Sequence, residues 1–178
     1  MFQEVLAFWF SEIDPKSWWI ADPTFDQLVR QRFGEVLSQA AKAELYAWRS
    51  EPRGRLAEVI VLDQFSRNVY RNTPLAFAQD PMALALAQEA VASGAASALN
   101  PVEKGFLYMP FMHSESKIIH EWADRLFHEN GVEGKYKSAL QHKKIVDRFG
   151  RYPHRNEVLG RASTAEEIEF LQTPGSRF

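Results

Sequence analysis

The stretch "RLAEVIVLDQFSRNVY", residues 55–70, decides the fold class. Its β-branched centre "VIVL", 59–62, would suit a buried strand if read alone. The run around it is too long for a strand and holds no turn residue, so the helical reading wins. Leu56, Val59, Ile60, Leu62, Phe65 and Val69 then lie nearly all around the cylinder, which is the pattern of a central helix. Asp63, Gln64, Arg67 and Asn68 interrupt that apolar surface, and Arg71 follows.

The flanking sequence extends the helical reading. Phe2, Val5, Leu6 and Trp9 share one face of a first helix that should stop by Asp14-Pro15. Asp22-Pro23, Asp80-Pro81 and Asn100-Pro101 each place a side-chain acceptor at an N-cap and proline at the first helical position. Glu103 adds a capping-box partner for Asn100. Helices are expected at about 23–42, 52–70, 80–94, 101–112, 114–130 and 132–149. A short last helix should follow "STAEE", capped by Ser163 or Thr164. Gly94, Gly131 and Gly150 mark helix ends. The closely spaced alanines of "DPMALALAQEAVASG" let helices approach closely, as in paired-helix repeats, although no clear repeat period is present. The expected architecture is a single all-α domain over 1–178, built of antiparallel helical hairpins packed as a compact bundle.

Composition bounds the function. Hydrophobic residues make up 46% of the chain, enough for a packed core. The formal net charge of -2 argues against a nucleic-acid partner, whose binding needs a broad basic surface. The absence of cysteine excludes disulfides, thiolate catalysis and cysteine-based zinc sites. The start "MFQEVLAFWFSEIDP" lacks the positive charge and long apolar run of a secretory signal. No apolar stretch is long enough for a membrane span; the longest notable one is "FLYMPFM", 106–112. A cytoplasmic protein with no membrane partner and no cofactor is expected.

Polar residues in three places stand out. Asp63 and Arg67 are four apart on the central helix and can pair along one face, with Arg71 continuing the line. Two arginines and one aspartate leave a guanidinium without an acidic mate on that helix. An arginine fork suits a carboxylate or phosphate. In "FMHSESK", 111–117, Pro110 suggests a helix that breaks and restarts, with Ser114 or Ser116 as the new cap. His113 and Glu115 would then lie near a helix N-terminus. The third place is "FGRYPHRNEVLGR", 149–161, which carries Arg151, His154, Arg155, Asn156 and Arg161 on turns bracketed by glycine and proline. Tyr152, Val158 and Leu159 should pin this segment to the body of the protein. His113, His120, Asp124 and His128 form a loose stripe, but no H-E-x-x-H pair is present, so no metal site is read.

These motifs carry a resemblance. "FWF", "LDQFSRN", "YMPFMHSE", "FGRYPHRN" and "LGRASTAEEIEFL" together resemble the bacterial family catalogued as domain of unknown function 924, over essentially the whole chain. The resemblance implies an all-α fold related to tetratricopeptide-like helical hairpins. It implies no activity, substrate or cofactor. Ser66 departs from the family's frequent "DQFPRN".

Three readings of the polar residues follow. In the first, Asp63, Arg67, Asn68, Arg71, Glu115, Arg151, Arg155, Asn156 and Arg161 line a pocket for a small anionic molecule, with His113 or His154 transferring protons. Asp63 or Glu115 would orient one of those histidines. In the second, a groove between hairpins takes an acidic peptide or partner protein. In the third, the polar groups only brace the fold. The sequence leaves oligomeric state open. It predicts that the three segments meet.

Overall fold

Capping chemistry sets most of the element boundaries in the computed structural model, which describes residues 1–177. The chain opens with α1 (Phe2–Ala7), prolonged by a wider π-helical turn at Phe8–Glu12. Asp22 accepts from the Thr24 N–H at 2.8 Å and starts α2 (Pro23–Ala41). The central rod is α3 (Pro52–Ile60), a π-helical turn at Val61–Phe65, and α4 (Ser66–Val69), with helical backbone at each junction. Then come α5 (Asp80–Ala92) and α6 (Pro101–His113). The capping box expected at Asn100 is present: Asn100 Oδ1 accepts from Val102 and Glu103, and Glu103 accepts from the Asn100 N–H. The chain continues through α7 (Lys117–Asn130) and α8 (Glu133–Phe149) and ends with α9 (Ala165–Phe170). Thr164 and Glu167 form the capping box of this last helix. Gly131 and Gly150 close α7 and α8 with φ of 71° and 69°, backbone that a residue with a Cβ adopts only at a cost. No strand is present among the described residues, and the fold is all-α.

The central rod is buried on nearly every side. Leu56 to Ser66 are all buried, and α1, α2, α5 and α6 pack around the rod. On one side an aromatic layer joins α1 to the rod and to α6: Trp9 packs edge-on against Phe65 and Phe106, at 5.5 and 5.7 Å between ring centroids. α6, α7 and α8 pack one on the next through short connections. Tyr152, after α8, is fully buried with Ile145 and Val146 in a small second cluster.

Two sequence expectations are corrected. Asp80 does not cap α5. Gln79 holds the N-cap position without a side-chain bond, and the Asp80 carboxylate is drawn off by arginines from elsewhere. Helix α6 runs through Pro110, where it loses one backbone donor, and ends at His113, so the expected break between the helices at about 101–112 and 114–130 falls at Ser114–Ser116. Ser116 precedes α7 without a side-chain cap bond, while Ser114 Oγ accepts from the Ser116 N–H at 3.2 Å. His113 therefore ends α6 at its negative pole, rather than opening α7 at a positive one.

Candidate functional site

The site begins at the π-helical turn of the central rod. Asp63 lies there, fully buried, and its Oδ1 meets His113 Nδ1 at 2.8 Å. Gln64 Nε2 donates to the other carboxylate oxygen at 2.5 Å. Arg67, one turn further, reaches back to the Asp63 carbonyl at 2.7 Å and lies 3.2 Å from Oδ1. Its two terminal nitrogens also hold Asp80 in a parallel fork, at 2.9 and 3.0 Å. Arg155 completes the group: Nη1 donates to Asp80 at 3.2 Å, and Nη2 donates to the His113 carbonyl at 3.1 Å. The ring of Phe77 lies 5.5 Å from the Arg67 guanidinium carbon and 4.6 Å from that of Arg155. Arg155 Nε is buried and has no hydrogen-bond partner among the described residues.

The electrostatics fix one tautomer. Burial alone would raise the Asp63 pKa, but Arg67 and His113 together hold it well below the usual carboxylate range. Burial lowers the His113 pKa, against the upward pull of Asp63, with Arg67 adding to the decrease. An ionised Asp63 can only accept, so the neutral His113 ring carries its proton on Nδ1. Nε2 is left with a lone pair and no hydrogen-bond partner among the described residues. The His113 side chain keeps 11% of its surface exposed. Burial also pushes Arg155 below the ordinary arginine value, with Arg67 beside it adding to the effect.

A second cluster ties segment 151–161 to the break after α6. Arg161 grips Glu115 with two bonds of 2.6 and 2.9 Å, and Glu115 also accepts from the Tyr152 N–H at 2.7 Å. Arg161 Nε donates to Asn156 Oδ1, and Asn156 Nδ2 reaches Ser163 and Glu167. Arg151 forks onto Glu167 at 2.7 and 2.8 Å. The remaining two residues turn the other way: Arg71 and Asn68 both bind Asp26 on α2. The three segments do meet, but Arg71 and Asn68 lie outside the meeting point.

Histidines gather around Tyr152. The ring centroids of His120, His142 and His154 lie 6.2, 5.7 and 5.6 Å from its own, and His113 lies 6.4 Å from His142. His120 Nε2 donates to the Ser114 carbonyl at 2.8 Å and approaches the Tyr152 hydroxyl at 3.2 Å. Burial depresses His142 to about 3 and His154 to about 4, so both rings are neutral at pH 7. His128 is exposed and packs by Tyr136, away from this group. Among the described residues no cluster of three or more histidine and acidic side chains is arranged to hold a metal.

The residues that the sequence did not single out are the acids Asp26, Asp80 and Glu167. Asp80 and Glu167 carried local signals, but those signals spoke of helix caps. Glu167 serves both roles, since it also accepts from the Thr164 N–H at 2.8 Å.

An all-helical fold with a buried arginine–carboxylate–histidine cluster is thus the class of protein described. More particularly, the chain belongs to the family described as bacterial protein of unknown function DUF924, whose family model matches residues 5–175. It is similar to the solved structure of a protein of unknown function, ATU0120 from Agrobacterium tumefaciens. That structure shares 35% sequence identity with a TM-score of 0.91, and the match covers 96% of each chain. No match is found among curated proteins. Among the described residues no helix is long and apolar enough to cross a membrane.

Proposed function

We propose that His113, oriented by Asp63, is the working group of a site for a small carboxylate or phosphate molecule, acting on it by acid–base chemistry. The observation that carries this reading is the 2.8 Å Asp63–His113 bond, made by the nitrogen that leaves Nε2 available. A carboxylate behind an imidazole fixes its tautomer and stabilises the imidazolium formed when Nε2 takes a proton. Arg67 and Arg155 supply positive charge beside it, and the unpartnered Arg155 Nε offers a donor for an anion. Arg71, Arg151 and Arg161 are engaged elsewhere and play no part in this site. A cytoplasmic location, where small anionic metabolites abound, suits the reading.

The test is an NMR titration of the histidine rings with small carboxylates and phosphomonoesters, beside a thermal-shift series. Saturable movement of the His113 signals, with a rise in Tm that Arg155→Lys abolishes, is the expected outcome. If no anion moves either observable, the site reading fails.

A second reading is favoured by charge balance. Arg67, Arg71, Arg151, Arg155 and Arg161 face Asp26, Asp63, Asp80, Glu115 and Glu167, five cations against five anions. Such a network can act purely as a brace. It also draws the arginines away from the acidic-peptide groove considered from sequence. In that case variants at these positions change stability alone.

A further inference from the structure

Lys135, on α8, stands apart from the arginine network. Its stem crosses the bare backbone of Gly105 on α6, where a Cβ would sit 3.9 Å from Lys135 Cε. Its ammonium rests 3.5 Å from the centroid of the Trp19 ring and 5.0 Å from that of Phe106. Trp19 and Phe106 are themselves stacked at 6.0 Å with 12° between their planes, and Trp18 closes on Phe106 at 4.9 Å. No carboxylate lies within ion-pair reach of Lys135 among the described residues. By contrast, Lys137 pairs with Glu133, and Lys143 with Glu121 and Asp147.

This setting is unusual for an amine. A half-buried ammonium has lost part of its water, and an aromatic face attracts the charge without accepting hydrogen bonds as a carboxylate does. Burial lowers Lys135 to about 8, so about a tenth of the amine is neutral at pH 7.

We propose that the ε-amine of Lys135 is the chain's preferred acylation site, taking an acyl group from a thioester. The neutral nitrogen attacks the thioester carbonyl carbon. A C–N bond forms, the C–S bond breaks, and the sulfur leaves as a thiolate that takes up the proton released by nitrogen. The products are an amide and a free thiol, with no change of oxidation state. The amide carries no charge, so acylation removes the cation that the Trp19 ring holds and loosens the Trp18–Trp19 connector from α8.

The test uses the intact chain and S-acetyl-N-acetylcysteamine as the acyl donor, with acetylation at each of the eight lysines followed by peptide mass spectrometry across pH 6.5 to 10. Lys135 is expected to react fastest, by about tenfold over the exposed lysines, since its free-amine fraction is far larger. Its rate should level off above pH ~8 while the others keep rising. Lys135→Arg should remove this fast site and leave the other rates unchanged. A different lysine reacting fastest, or a Lys135 rate that climbs with pH in parallel with the rest, overturns the proposal.

Discussion

Arg67 holds Asp80 through two parallel N–H···O bonds of 2.9 and 3.0 Å, across the gap between the central rod and the first turn of α5. Asp80 is shared: Arg155, from the far end of the chain, takes the same carboxylate. One acid is thus shared by two largely buried guanidinium groups from different segments, with Asp63 supplying the second negative charge beside Arg67. Asp80→Ala leaves both with reduced compensation and should cost about 3 kcal/mol, since removing one partner of a buried pair is far more damaging than never having built it. Urea unfolding measures this. A loss below ~0.5 kcal/mol would make the contact a surface ion pair in all but name.

Asp63→Asn tests the tautomer argument. The amide can present its oxygen or its nitrogen to His113, so the preference for the Nδ1–H form should weaken. Ring ¹⁵N shifts of His113 report this directly. An unchanged pattern would show that something other than Asp63 fixes the ring. Arg67 loses part of its compensation in the same variant, so the shifts should be read on protein that circular dichroism shows to be folded.

Acid should unfold the protein in two stages. His142 and His154 titrate in the folded state at about 3 and about 4, well below the ordinary histidine value. Between these values and pH ~6.5 the unfolded chain binds more protons, so stability falls as the solution is acidified. Each such ring contributes a loss of about 2 kcal/mol between pH 7 and pH 5. Below pH ~4 the carboxylates with lowered values, Asp26, Asp63 and Glu115, add a second decline. Urea midpoints at pH 7.5, 6, 5 and 4 trace both stages. Replacing His142 and His154 by glutamine should shrink the first stage, leaving the part that the other buried histidines, His113 and His120, contribute, and spare the second.

Gly54→Ala probes the start of the central rod. A methyl group there would lie 2.1 Å from the Trp48 carbonyl oxygen, which is backbone and cannot swing aside. A loss of about 2–3 kcal/mol is expected, the usual scale of overpacking. Calorimetry on the purified variant gives the answer, and an unchanged Tm would mean that the 46–51 turn yields freely.

Ser66→Ala should be neutral or stabilising by up to about 1 kcal/mol. The Ser66 hydroxyl is buried without a hydrogen-bond partner among the described residues, so removing it relieves a desolvated polar group. A marked loss in chemical denaturation would show that a partner, such as a water molecule, satisfies it.

The central rod shows where local reading succeeds and where it stops. Residues 55–70 were legible as a buried helix because side-chain period and missing turn residues are properties of the chain itself. The widened turn at Val61–Phe65 was not legible, since its residues carry the same apolar period as the helix around them and no residue type marks a π-helical turn. Asp80 makes the same point in reverse. Its position before proline speaks for a cap, yet a guanidinium fork supplied from another helix offers a charged partner, and the stronger interaction wins.

The sequence by itself determined that the chain is helical, where most helices begin and end, and which polar residues sit at odds with their apolar surroundings. Propensity, capping and periodicity act between residues a few positions apart, so they can be read from the chain in order. Only the tertiary structure decided that Asp63 backs His113, that Arg67 and Arg155 share Asp80, and that Arg71 turns away to Asp26. Ion pairs form over about 3 Å through space, whatever the separation along the chain, and residues 75 apart in sequence meet as readily as neighbours once the helices have packed.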